Sequence, residues 1–90
     1  NIDITARNFA PSPYLKTFIH DKLNGLLKYD SNITSSRVVL LKEGRAEKVE
    51  LILKSKNAKY ITKCYSSVFE KTFINAIGKI KVQIKKHSKF

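Results

Sequence analysis

Residues 66–90, SSVFEKTFINAIGKIKVQIKKHSKF, constrain the fold more than any other stretch. Apolar side chains recur there at Phe69, Phe73, Ala76, Ile77, Ile80 and Ile84. That three-and-four spacing lays one continuous stripe along an α-helix of about four turns. Lys71, Lys79, Lys81, Lys85, Lys86 and Lys89 fall off the stripe, on its two flanks. Lys81, Lys85 and Lys89 stack four apart, Lys79 and Lys86 line the other edge, and Glu70 is the only acid in the segment. Like charges four apart oppose a helix by about 0.2–0.5 kcal/mol per pair. Such a helix needs a surface to cover with its stripe, and its unpaired basic shoulders point to a polyanion outside. Lysines near a helix C-terminus also complement the macrodipole and keep a domain soluble, so the remaining residues must decide between the two.

The surface is supplied upstream. Residues 1–7 alternate, Ile2, Ile4 and Ala6 on one side and Asp3, Thr5 and Arg7 on the other, as a half-buried strand does. Pro11-Ser12-Pro13 stops the strand and starts a helix, with Ser12 as N-cap and Pro13 at the first helical position. This helix is predicted to run to about Tyr29, with Leu15, Ile19, Leu23, Leu26 and Leu27 inward. Phe18, Lys22 and Tyr29 lie at its margin, Lys16, His20 and Lys28 face out, and Asp30-Ser31-Asn32 ends it. Residues 37–42 (RVVLLK) read as a strand central in a sheet, Glu43-Gly44-Arg45 as a turn, and residues 47–54 as a strand with Val49, Leu51 and Leu53 on one side. After a short Lys56-Asn57 connection, residues 58–65 set Tyr60, Thr62 and Cys64 against Lys59, Ile61, Lys63 and Tyr65. Ser67, with Glu70 three later, reads as a capping box opening the last helix. Gly25 and Gly78 each weaken their helix by about 1 kcal/mol relative to Ala, and Gly78 is read as a point of close backbone packing. The order β-α-β-β-β-α, every strand having one apolar side, predicts an α+β fold: a four-stranded sheet with two helices packed on one face, one domain over residues 1–90.

Composition narrows the function. Net charge is +11, from 18 Lys and Arg against 7 Asp and Glu, an imbalance that costs self-repulsion and usually signals an anionic partner. It is uneven: residues 1–45 hold seven bases and four acids, residues 46–90 eleven and three. The single cysteine, Cys64, excludes an internal disulfide and a thiolate metal site and reads as a small core residue. His20 and His87 have no carboxylate at ligand spacing, and CxxC, HExxH and phosphate-cradling glycine loops are missing from the sequence, so no metal and no cofactor is expected. The acids Asp3, Asp21, Asp30, Glu43, Glu47, Glu50 and Glu70 are scattered and read as solvated or locally paired groups, which points away from an enzyme. No stretch resembles a signal peptide or a transmembrane run, so a cytoplasmic protein is expected. The missing initiator Met is read as processing or an incomplete start.

Four pieces in consistent order carry a family likeness. They are the opening Ile2-Asp3-Ile4-Thr5-Ala6-Arg7-Asn8-Phe9; the helix with Leu15-Lys16, Phe18-Ile19, Lys22-Leu23, Leu26 and Lys28-Tyr29; strands 38–42 and 49–53; and the closing Lys79-Ile80-Lys81-Val82-Gln83-Ile84-Lys85-Lys86-His87. Together they resemble bacterial ribosome hibernation promoting factors, also called ribosome-associated inhibitors, over essentially the whole chain. Gly25 and Val82 stand where that family often has a basic residue. The lack of an acidic tail leans toward its short type.

The resemblance implies a fold similar to double-stranded-RNA-binding domains. It implies binding to rRNA of the small ribosomal subunit between head and body, in the channel used by mRNA and by tRNAs in the A and P sites. Translation would be blocked sterically and idle ribosomes preserved. By matching position, the implied RNA contacts are Lys22, Lys28 and Tyr29 on the first helix and Lys79, Gln83, Lys85 and Lys86 on the second, with Arg7 added at the first strand's end. Lys81, His87 and Lys89 join them on charge alone. Partners are expected to be the small subunit, with no membrane, no small-molecule substrate and a monomer off the ribosome. Two other readings stand beside this one: a general structured-RNA-binding module acting off the ribosome, and a basic amphipathic helix lying on anionic lipid. Against the second, the apolar stripe is needed to cover the sheet and Trp is absent.

Overall fold

The computed structural model describes residues 2–56 and 58–87, His87 by its backbone only. The elements are β1 (Ile2–Arg7), α1 (Pro13–Tyr29), β2 (Ile33–Glu43), β3 (Ala46–Ser55), β4 (Lys59–Ser66) and α2 (Phe69–His87). The strands form one mixed sheet in the order β1-β2-β3-β4. β1 runs parallel to β2, Ile4 opposite Val38, and the other pairs are antiparallel. A parallel pair needs a crossover, and α1 provides it. The expected order, the central place of residues 37–42 and the turn at Gly44 all hold. Gly44 has φ +60° in a two-residue hairpin loop, which favours glycine at the first loop position. β2 begins earlier than expected, because the sheet extends to Ile33 opposite Ser55 through a register shift.

Alternation puts Val38, Leu40, Val49, Leu51, Leu53, Tyr60 and Cys64 on one side of the sheet, all buried. Both helices lie there. Leu15, Ile19, Leu23 and Leu26 of α1 and the whole predicted stripe of α2, from Phe69 to Ile84, join them in one core. Phe18 packs edge-on against Phe73, centroids 6.4 Å apart, and so joins the helices. At the end of β1, Asn8 takes φ 72°, a left-handed conformation that Asn tolerates better than most residues. The bend lets Phe9 stack on Phe69 at 4.8 Å.

The helix starts differ. Ser12 caps α1 as predicted, its Oγ accepting from the Leu15 N–H at 3.1 Å. The capping box at Ser67 does not form: α2 begins at Phe69, whose N–H donates to Glu47 Oε1, 22 residues back, at 2.6 Å. Thr72, fully buried, donates its hydroxyl to the Val68 carbonyl at 2.8 Å and touches the Ser66 hydroxyl. A carboxylate from β3 thus satisfies a donor at the positive end of the helix dipole. Gly78 is not a point of close packing either: an added Cβ would meet nothing within 4 Å, and the same holds at Gly25.

Candidate RNA-binding surface

With the inner side of each helix committed to the core, the polar side chains have only the outer side. On α1, Lys16, Lys22 and Lys28 are exposed, and Tyr29 is 46% exposed. On α2, Lys71, Lys79, Lys81, Lys85 and Lys86 are exposed. The helices hold these eight cations against two acids, Asp21 and Glu70. Every ion pair among the described residues lies instead in the sheet: Arg37–Asp3, Lys42–Glu47, Lys48–Glu43 and Lys63–Glu50. The hydrogen bond and charge of Lys48 hold the Glu43 carboxyl below its ordinary value. Four of the seven strand cations, Arg37, Lys42, Lys48 and Lys63, are thus matched. Lys16, Lys22, Lys28, Lys71, Lys79, Lys81 and Lys86 have no carboxylate partner among the described residues.

The two helices present one wall. Lys81 Nζ lies 5.9 Å from the Tyr29 ring centre, a cation–π contact across the helix pair that brings two predicted site residues together. Lys22 Nζ sits 5.6 Å over Phe18, one turn away on its own helix. Lys85 continues this wall along α2, while Lys79 and Lys86 line the other flank of that helix, on the side of β4. Gln83 is tied inward: its Nε2 donates to the Ile61 carbonyl at 3.0 Å, which covers part of the open edge of β4. Arg7 does not join the group, because its position in β1 points it to the sheet face away from the helices. Lys89 and the His87 side chain lie outside the described residues.

The sequence reading missed two features. The glycines leave bare backbone on this wall, Gly25 between Lys22 and Lys28 and Gly78 beside Lys79. Positive charge is also not confined to the helical layer. Arg7, Arg37, Lys48, Lys54, Lys59 and Lys63 share the outer sheet face. Strand alternation sets Arg7, Lys48, Lys54, Lys59 and Lys63 opposite the apolar side of their strands, the reading of residues 37–42 gave Arg37 no side, and only the cross-strand register gathers the six. Among the described residues no group of three or more His, Cys, Asp or Glu could hold a metal ion, and no helix is long and apolar enough to cross a membrane.

By architecture the chain is a two-layer α+β protein, a mixed four-stranded sheet under two basic helices, and solved structures share this fold. A ribosomal subunit interface protein from Coxiella burnetii superposes with TM-score 0.89 at 19% identity, covering 96% of this chain and 94% of that one. The N-terminal domain of Protein Y from Thermus thermophilus superposes with TM-score 0.84 at 16% identity, covering 94% of each. The sequence itself gives the family: the profile of the Sigma 54 modulation protein / S30EA ribosomal protein family matches residues 2–89, and the chain belongs to that family, one of ribosome-associated proteins. No curated protein matches the chain.

Proposed function

We propose that the chain is a ribosome hibernation factor. Its helical wall binds small-subunit rRNA in the mRNA and tRNA channel, at the A and P sites, and inhibits translation by occupying it. Residues 1–90 act as one ribosome-binding unit, similar in fold to double-stranded-RNA-binding domains, in the cytoplasm, as a monomer off the ribosome. The observation that carries this reading is the set of outward helix lysines with no carboxylate partner among the described residues, on a chain that spends most of its acids on the sheet. Uncompensated cations on a rigid surface suit a dense phosphate array, because lysines track phosphate as point charges without reading base sequence. Lys22, Lys28, Lys79, Lys81, Lys85 and Lys86 make the phosphate contacts; His87 and Lys89 extend them. Gln83 places α2 against β4, and Tyr29, with Lys81 on its ring, offers an edge to a ribose or base. If about six phosphates are neutralised, affinity falls roughly a thousandfold between low and moderate salt. No bond is made or broken, so the mechanism is exclusion.

The test is translation in a purified system, wild type against Lys79→Ala/Lys85→Ala/Lys86→Ala. The variant is expected to lose most inhibition and to leave the small subunit at lower salt. Equal inhibition by the two proteins would refute the placement of the surface on α2.

A further inference from the structure

The other face of the sheet is a second surface, independent of the helical wall. Among the described residues no element covers it, since both helices pack on the opposite side. The register arranges its side chains in rows across the strands: Arg7, Leu41, Lys48 and Tyr65; then Thr5, Val39, Glu50 and Lys63; then Asp3, Arg37, Ile52 and Ile61; last Ser35, Lys54 and Lys59. Its three acids are matched, Asp3 to Arg37, Glu43 to Lys48 and Glu50 to Lys63. Arg7, Lys54 and Lys59 have no carboxylate partner among the described residues.

Two observations point to a ligand. Lys54 and Lys59 stand directly opposite each other across β3 and β4. Like charges so placed destabilise a sheet, and the cost falls away when an anion lies between them. They flank a hollow of about 320 Å³ that Ser35 and Arg37 also line. At the other end, Tyr65 is 75% exposed, the most exposed large apolar side chain described, although a strand so rich in apolar neighbours offers a core on its other side. It borders a second hollow of about 650 Å³ with Arg7, Leu41 and Lys63. Ile61, 44% exposed, lies on the same strand between the two ends.

We propose that this face binds single-stranded RNA, with a base stacked on Tyr65 and backbone phosphate held between Lys54 and Lys59. The ends are six residues apart on β4, about 20 Å at the rise of a strand, which leaves room for a short run of nucleotides over Ile61. An open sheet with an exposed aromatic ring and flanking cations meets the two needs of sequence-tolerant single-strand binding, a stacking platform and a basic track. A second copy of the chain would bring like charge to like charge. An acidic peptide would answer the lysines and leave the Tyr65 ring without a partner.

The test uses hexauridylate and the isotopically labelled chain, free of ribosomes, followed by amide NMR and anisotropy. Shifts are expected on β2, β3 and β4 around Arg37, Lys54, Lys59 and Tyr65. Tyr65→Ala is expected to weaken binding roughly 5- to 150-fold, and Tyr65→Phe to retain most of it. Lys54→Ala/Lys59→Ala is expected to lower the salt slope by about 0.7 for each phosphate that is no longer neutralised. These side chains are exposed, so the variants keep the fold, and unchanged thermal unfolding verifies it. Lys79→Ala/Lys85→Ala/Lys86→Ala is expected to bind hexauridylate like wild type, which separates this surface from the ribosome-binding wall. Shifts confined to the helices, binding unmoved by the Tyr65 and lysine variants, no binding at millimolar RNA in low salt, or full displacement by polyglutamate with no effect of Tyr65→Ala would each overturn the proposal.

Discussion

Gly25 and Gly78 sit in the interior of exposed helix faces, where glycine is the wrong residue for stability. Neither has positive φ, and a Cβ at either would meet nothing within 4 Å. Gly25→Ala and Gly78→Ala are therefore expected to raise stability by about 1 kcal/mol each, measured by urea unfolding. Nothing inside the domain requires them; in the proposed complex a phosphate backbone lying close against the helices would use the bare backbone they leave. The same substitutions are thus expected to weaken ribosome pelleting while they stabilise the protein. If they stabilise and bind unchanged, the RNA does not approach the wall at these points. The glycines show what residue reading alone yields: their helical cost and the place of Gly78 off the apolar stripe are legible in the sequence, but that no neighbouring element covers it is visible only in the packed structure.

At the scale of elements, α2 depends on a residue from another strand. Glu47 Oε1 holds the Phe69 N–H, and its other oxygen lies 4.0 Å from Lys42 Nζ. Glu47→Ala is expected to cost about 0.5–2 kcal/mol, the range for loss of a helix cap, seen as a lower urea midpoint with the slope unchanged. Retained stability would show that Ser66 and Thr72 suffice. The Ser67 capping box failed for a related reason. A local pattern of Ser and Glu competes with a carboxylate that the hairpin delivers from 22 residues away, and no short-range signal carries that delivery. Periodicity was more informative: every stripe residue from Phe69 to Ile84 is buried, as are Leu15, Ile19, Leu23 and Leu26, while Leu27, also read as inward, is only half-buried and stays outside the core. Ser12 caps α1 as its position next to Pro13 implies. The helix lysines were legible as flanks of that stripe. The outer sheet face was not, because its opposed Lys54 and Lys59 meet only through strand register.

For the whole molecule, the distribution of acids matters more than the number of bases. Among the described residues, four of the seven carboxylates pair within the sheet and most of the outer helix lysines have no carboxylate partner. The helix lysines and the cations of the outer sheet face lie on opposite surfaces with a shared apolar core between, which lessens the self-repulsion of a chain of charge +11. In the proposed complex the helical wall meets folded rRNA, and the outer sheet face is left for a strand without structure of its own. Lysine acetylation footprinting of the protein bound to the small subunit, read by mass spectrometry, tests the central claim most directly. Lys22, Lys28, Lys79, Lys81 and Lys86 are expected to be protected on binding while Lys42, paired with Glu47, reacts as in the free protein; helix lysines that stay as reactive in the complex as in solution would contradict the account.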